Sequence, residues 1–321
     1  MKVVAVIHPT SLLARELRER LEARPDLCGE LRLLSDNDEE VGTLTESAGA
    51  AALVARLGPD SLEGVDLAFV LGDIERVRAS LGQLPRGLPA VLLSPGATEE
   101  DAPAAVAGVH VEGLVGRERI ASPHPAAIAV SLLVDALGPL KPRRAAATVL
   151  LPVSMLGDAG IEELFEQTRG ILAFSGAASR AKLFPAQIAF NLLPAEEDGA
   201  GVADAARRAL AGTVELAIQL VQGGVFHGLA VSLRVELEGN PEPADVRRLL
   251  GRARGIALAR DVRKLGPVAS AAEEKLLVGA VRRAEAPGSY WIWSVMDNLT
   301  RGGALNALEL GEALLVLGRP S

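Results

Sequence analysis

Aliphatic residues gather in short unbroken runs along the first third of the chain, and between those runs they recur every three or four positions. Val3–Ile7 is the first run, and Ser11–Ala23 follows with Leu12, Leu13, Leu17 and Leu21 at helical spacing. Leu31–Leu34, Val65–Leu71 and Pro89–Leu93 read as further strands, with Asp73–Leu81 as a helix between the last two. A strand can be aliphatic at every position only when both faces are covered. The alternation therefore predicts a parallel, doubly wound sheet. A long helix is expected to begin near Pro123-His124-Pro125, because proline in a first turn lacks only an N–H that would be unpaired anyway.

The texture then changes. Ala146–Leu151 predicts a strand, and Asp158–Arg169 a helix with acidic residues in its first turns, where they complement the helix dipole. Val202–Gln222 reads as a longer helix, and Val225–Leu237 alternates as a half-exposed strand does. Lys275–Arg283 and Tyr290–Val295 predict two more strands, and Gly303–Leu317 a mostly apolar, buried helix. This is an α+β pattern on a larger, antiparallel sheet. No Pro-rich linker separates the halves. The expected domains are residues 1–125, joined by a returning helix over 300–321, and residues 126–299. Trp291 and Trp293 alternate with Tyr290 and Ile292, which places inner core on one side of that strand and a subunit interface on the other.

Composition narrows the function classes. With 321 residues there is chain enough for two domains, and with only 3% aromatics the core must be aliphatic. A net charge of -8 and scattered Arg pairs give no basic face for a phosphate backbone, so nucleic acid is excluded. The single cysteine, Cys28, cannot form an internal disulfide, and it reads as a small buried hydrophobe. The apolar run Ala126–Leu140 is shorter than a bilayer span and carries Asp135, so no membrane segment is expected. A cytoplasmic protein is the expectation.

Five motifs, in order, resemble the aspartate-semialdehyde dehydrogenase family. They are Val3–Ile7 with Arg15-Glu16-Leu17; Ile120–Leu140, ending in Leu137-Gly138-Pro139-Leu140; Gly160-Ile161-Glu162-Glu163-Leu164; Phe184-Pro185 with Gln187 through Pro194; and Asp297-Asn298-Leu299 with Gly302-Gly303-Ala304 and Asn306-Ala307. The resemblance implies a Rossmann-like, NAD(P)-binding-type first domain and a second domain that carries substrate residues and the dimer interface. It also implies a reaction in which a cysteine thiolate attacks an aldehyde, hydride passes to nicotinamide, and phosphate releases the acyl group. Such chemistry needs a thiol at a helix N-terminus and a histidine base within reach.

At the positions the resemblance assigns to that chemistry, other residues stand. The nucleophile position is Pro125 and the base position is Leu229; a glutamine position is Pro152, and two substrate-arginine positions are Gln222 and Ala280. His227 lies two residues before Leu229, about 6–7 Å along an extended strand, which makes it a poor substitute base. The phosphate-binding turn reads His8-Pro9-Thr10-Ser11-Leu12-Leu13-Ala14, without the glycines that let a backbone approach a pyrophosphate. Thr10, Ser11, Asn298 and Gly302 are the residues left to touch a dinucleotide. Ser35-Asp36-Asn37-Asp38 would repel a 2′-phosphate, so no tight cofactor is expected, while weak NAD binding to an acidic residue stays open.

The chain thus resembles a Usg-type paralogue that lacks the catalytic cysteine and histidine. The implied role is a dimeric scaffold or interaction protein, paired with itself, with the active dehydrogenase or with another protein. The alternative is an NAD(P)-dependent oxidoreductase or metabolite sensor with a site rebuilt around His8, Ser122 and His124, with Ser154 nearby. No metal is expected, since no carboxylate stands at ligand spacing from those histidines.

Overall fold

The computed structural model describes residues 2–47, 50–110, 114–173, 181–212 and 214–317. The chain forms two compact units, residues 1–124 with 302–321, and residues 125–301.

The first unit is built on β1 (Val3–Ile7), α1 (Leu12–Glu22), β2 (Glu30–Ser35), the hairpin β3 (Leu44–Ser47) and β4 (Ala50–Leu53), β5 (Ala55–Arg56), β6 (Leu67–Leu71), α2 (Ile74–Leu81), β7 (Ala90–Leu93) and β8 (Arg119–Ala121). Its six-stranded sheet runs β5-β2-β1-β6-β7-β8, parallel throughout. Alternation along each strand divides the core. Val4, Val6, Leu67 and Phe69 face a layer with α1 and the C-terminal helix Leu305–Leu317 (α7), whereas Ala5, Ile7, Ala68 and Val70 face α2. Gly311 in α7 permits this packing, because a Cβ there would lie 2.8 Å from Leu67 and 2.9 Å from Phe69. The doubly wound expectation holds. The short β3–β4 hairpin carries too little periodicity to stand out in the sequence.

The second unit comprises α3 (Pro125–Ala136), β9 (Arg144–Leu151), α4 (Gly157–Leu172), β10 (Leu192–Pro194), α5 (Gly199–Ala209), β11 (Glu215–Gly223), β12 (Leu229–Glu236), α6 (Pro243–Leu250), β13 (Ile256–Leu258), β14 (Leu276–Arg283) and β15 (Ser289–Met296). Seven strands form one sheet in the order β10-β11-β9-β12-β15-β14-β13. It is mixed rather than antiparallel: β9 pairs with β11 and β13 with β14 in parallel. Helices α3, α5 and α6 pack against it.

The long helix expected over Val202–Gln222 is instead the helix α5 and the strand β11; residue 213 lies outside the described residues. The chain breaks at Ala211 and Gly212, both at positive φ, and Leu216, Ile218 and Leu220 then alternate inward with period two. Helical spacing and strand alternation overlap in a stretch this rich in aliphatics, and the break decides between them. The strand expected from Val225 begins only at Leu229, after a turn that ends in Gly228 at φ +81°. Along β15, Tyr290 and Ile292 are buried while Trp291 is 41% exposed, so the two faces of this strand differ as the pattern predicts.

Candidate functional site

In the first unit, the turn from β1 into α1 holds a closed polar network. His8 sits at φ +61°, a conformation unusual for a residue with a Cβ, and is buried. Its Nδ1 lies 3.1 Å from Ser35 Oγ and its Nε2 lies 2.9 Å from Ser80 Oγ. Ser35 donates to Glu40 at 2.7 Å, as does Thr10 at 2.9 Å. Because the Ser35 hydroxyl proton goes to Glu40, its oxygen must accept, and His8 Nδ1–H is the donor. The neutral ring then accepts at Nε2 from Ser80. Asp36 stands 3.6 Å from Nε2, Glu40 3.7 Å from Nδ1, and Arg76 3.5 Å from Glu40. Burial lowers the His8 pKa, against the pull of Asp36 and Glu40 upward. Bonds from Ser35 and Thr10 hold Glu40 below the usual carboxylate range, although burial alone would raise it.

Ser11 caps α1 by accepting from the Ala14 N–H at 3.2 Å. Thr10, beside that cap, is bonded to Glu40, so the turn before the helix carries a carboxylate as well as the His8 side chain. Glu40 and Ser80 complete this network, and neither carried a signal in the sequence, because each is brought in by a different loop or helix.

His8 and Ser122 do not meet. Ser122 follows β8, three strand spacings or roughly 14 Å across the sheet from β1. Ser122 instead accepts from Asn306 Nδ2 at 2.8 Å, and Asn306 Oδ1 accepts from the Ala107 N–H at 2.9 Å. His124 is buried between Ser122 and the first residue of α3. Gly302 lies in the π-helical turn Thr300–Ala304 that leads into α7.

In the second unit, Pro125 opens α3 and Leu229 opens β12 with no exposed surface. Pro152 ends β9 and precedes a 3₁₀ turn at Val153–Leu156; Ala280 stands beside the irregularity of β14 between Val278 and Val281. His227 lies in the turn before β12, off the strand on which the sequence pattern had put it. Gln222 Nε2 donates to the Leu151 carbonyl at 3.1 Å and the Gly223 carbonyl at 3.3 Å. Asn298 Oδ1 accepts from the Gly228 N–H at 3.0 Å, and its Nδ2 donates to Ser154 at 3.1 Å. Capping before the last helix falls to Asp297, which accepts from the Leu299 and Thr300 N–H groups at 2.9 Å.

The motifs that survive in the sequence hold the fold. Glu163 accepts from the N–H groups of Lys182 at 3.1 Å and Leu183 at 2.7 Å. One turn later the buried Gln167 accepts from Ile188 at 2.8 Å and Ala189 at 3.1 Å. Two motifs about twenty residues apart are thus one structure, helix α4 fastening the Phe184–Pro194 segment.

Residues 130–301 match the profile of the semialdehyde dehydrogenase dimerisation domain. The chain belongs to the semialdehyde dehydrogenase family. It is 30% identical over 98% of its length to a USG-1 protein homologue of Azotobacter vinelandii, of which it covers 98%. Among solved structures it resembles a probable aspartate-semialdehyde dehydrogenase from Pseudomonas aeruginosa, with a TM-score of 0.86 and 27% identity over 98% of this chain and 99% of that one. Aspartate semialdehyde dehydrogenase II of Vibrio cholerae superimposes with a TM-score of 0.88 at 23% identity, over 98% of each chain, and shares the fold. The Rossmann-like parallel sheet and the mixed-sheet second unit are those of this family. Among the described residues no helix is long and apolar enough to cross a membrane, and no three His, Cys, Asp or Glu side chains stand together as metal ligands.

Proposed function

We propose that this member of the semialdehyde dehydrogenase family is a non-catalytic homodimer that acts as a scaffold or interaction protein. The observation that carries the reading is the pair Pro125 and Leu229. At the head of α3, where the family's thiol belongs by resemblance, there is a ring with no nucleophile, and where its base belongs there is a fully buried alkyl chain. The chain's single thiol cannot substitute. Cys28 packs into the core of the first unit, and burial pushes its pKa up to about 11, so it stays protonated near neutrality.

A dinucleotide does not fit the β1–α1 turn. The pyrophosphate would meet Glu40 and Asp36 where the fold normally offers backbone N–H groups, and His8 fills the turn that glycine would leave open. The match of residues 130–301 to a dimerisation domain and the 41% exposed Trp291 on the second sheet support pairing of two copies. A rebuilt catalytic site around His8, Ser122 and His124 has less support, because both ring nitrogens of His8 and the hydroxyl of Ser122 are already engaged.

The test is a turnover assay of the purified chain with aspartate semialdehyde, phosphate and either NAD or NADP, run beside its mass in solution by light scattering. A dimer with no reduced cofactor formed is the expected result. Reduction of either cofactor overturns the non-catalytic reading, and a monomer overturns the homodimer.

A further inference from the structure

We propose that the second unit carries a binding pocket for a small primary amine with a branched or aromatic apolar body, a site that goes beyond the non-catalytic reading and does not rest on it. The pocket encloses about 150 Å³. That is roughly the volume that holds a benzene ring in a cavity of aliphatic and aromatic walls, or about six to eight non-hydrogen atoms.

Its floor is set by strand register. Leu193, Gln222 and Leu151 are directly opposite one another on the adjacent strands β10, β11 and β9, so their side chains share one face of the sheet. Met155, from the 3₁₀ turn after β9, and Phe184, from the segment fastened by α4, close the sides. This is apolar lining of the kind that buries the body of a small ligand.

The polar groups settle the ligand's chemistry. Gln222 is 8% exposed. Both carbonyls beside it, those of Leu151 and Gly223, can only accept, so the nitrogen end of its amide must face them. Among the described residues none donates to its Oε1, which is left as an acceptor inside a pocket whose other walls are apolar. The exposed Glu196 is part of the lining, and no Arg, Lys or His lines the pocket among the described residues. Acceptor within and negative charge at the rim favour an ammonium group and repel a carboxylate. An ammonium seated against Gln222 Oε1 is drawn in by Glu196, while the hydrocarbon displaces water from Leu151, Met155, Phe184 and Leu193.

The experiment is calorimetric titration of the full chain with isoamylamine and benzylamine, with isovalerate as a carboxylate of similar shape. One amine per chain is the expected stoichiometry, with isovalerate binding at least tenfold more weakly. Gln222→Leu removes the acceptor and weakens amine binding about tenfold or more, the usual loss for a hydrogen bond to a charged group. Leu193→Trp fills the pocket and abolishes binding; because Leu193 is only partly buried, this variant remains informative where Gln222→Leu disturbs the strand pairing. Isovalerate binding as tightly as the amines, amine binding that survives Leu193→Trp, or no binding by either amine overturns the proposal. None of these outcomes bears on turnover, so the non-catalytic reading is judged separately.

Discussion

Ser80 donates its hydroxyl proton to His8 Nε2 across 2.9 Å, and the next acceptor available to that proton is Asp36 at 3.4 Å. The serine is therefore a two-way switch. When the imidazole is neutral its proton points to His8, and when the imidazole is charged Nε2 becomes a donor and the serine proton must turn to Asp36. The first arrangement is the one burial favours.

Stability should follow this titration. The folded-state pKa of His8 lies below its ordinary value of 6.5, so the unfolded chain binds the proton more readily. The contribution is present above pH 6.5 and is lost as pH falls through the lowered folded value. Urea unfolding between pH 8 and pH 5 should show a declining midpoint for the natural chain. His8→Asn, which tolerates positive φ, should flatten the decline below pH 6.5. Equal slopes for the two would mean that His8 does not govern it.

Gln167→Leu should destabilise the protein by about 2–4 kcal/mol, because the buried N–H groups of Ile188 and Ala189 both lose their acceptor. Chemical denaturation gives the number, and hydrogen exchange should rise first at those two amides. An unchanged midpoint would refute the fastening role of α4.

Gly160→Ala should cost about 1–3 kcal/mol, since a Cβ there would lie 2.2 Å from the Val153 carbonyl oxygen and α4 must move away from the turn before it. Thermal unfolding reads the loss. Gly201→Ala is the control, as nothing lies within 4 Å of its Cβ position.

Cys28 should resist thiol reagents at pH 8 in the folded chain and react at once in denaturant, because its pKa is pushed up to about 11 by burial. Absorbance on reaction with a disulfide reagent follows it directly. Rapid labelling of the folded protein would contradict the packing of that core.

The layering of the first unit was readable because every aliphatic run there is a buried parallel strand, such as Val3–Ile7, and each helix between runs keeps its stripe, such as Leu17 and Leu21 in α1. Val202–Gln222 misled for the reason already visible in its composition: a strand alternating in Ala, Ile, Leu and Val also satisfies a helical spacing over short windows. The motifs led to the family but not to their own purpose. Glu163 stands in one recognisable string and Ile188 and Ala189 in another, but Gln167 lies outside both, and the bonds that join them are known only from the folded chain. The His8 network was half legible. His8 and Asp36 could be placed at the ends of neighbouring strands, but Ser80 arrives from α2 and Glu40 from a loop, and no local pattern announces either.

The first unit is assembled from both ends of the chain, with α7 laid against α1, β6 and β7 by way of Gly311. On the ribosome this order matters. The second unit is one continuous stretch and can close as soon as residue 301 has emerged, whereas the parallel sheet made long before it must wait with Leu67 and Phe69 uncovered until Leu305–Leu317 has followed. The parallel sheet is thus made before the second unit and sealed after it, and its bare aliphatic face is where a chaperone would have most reason to hold on.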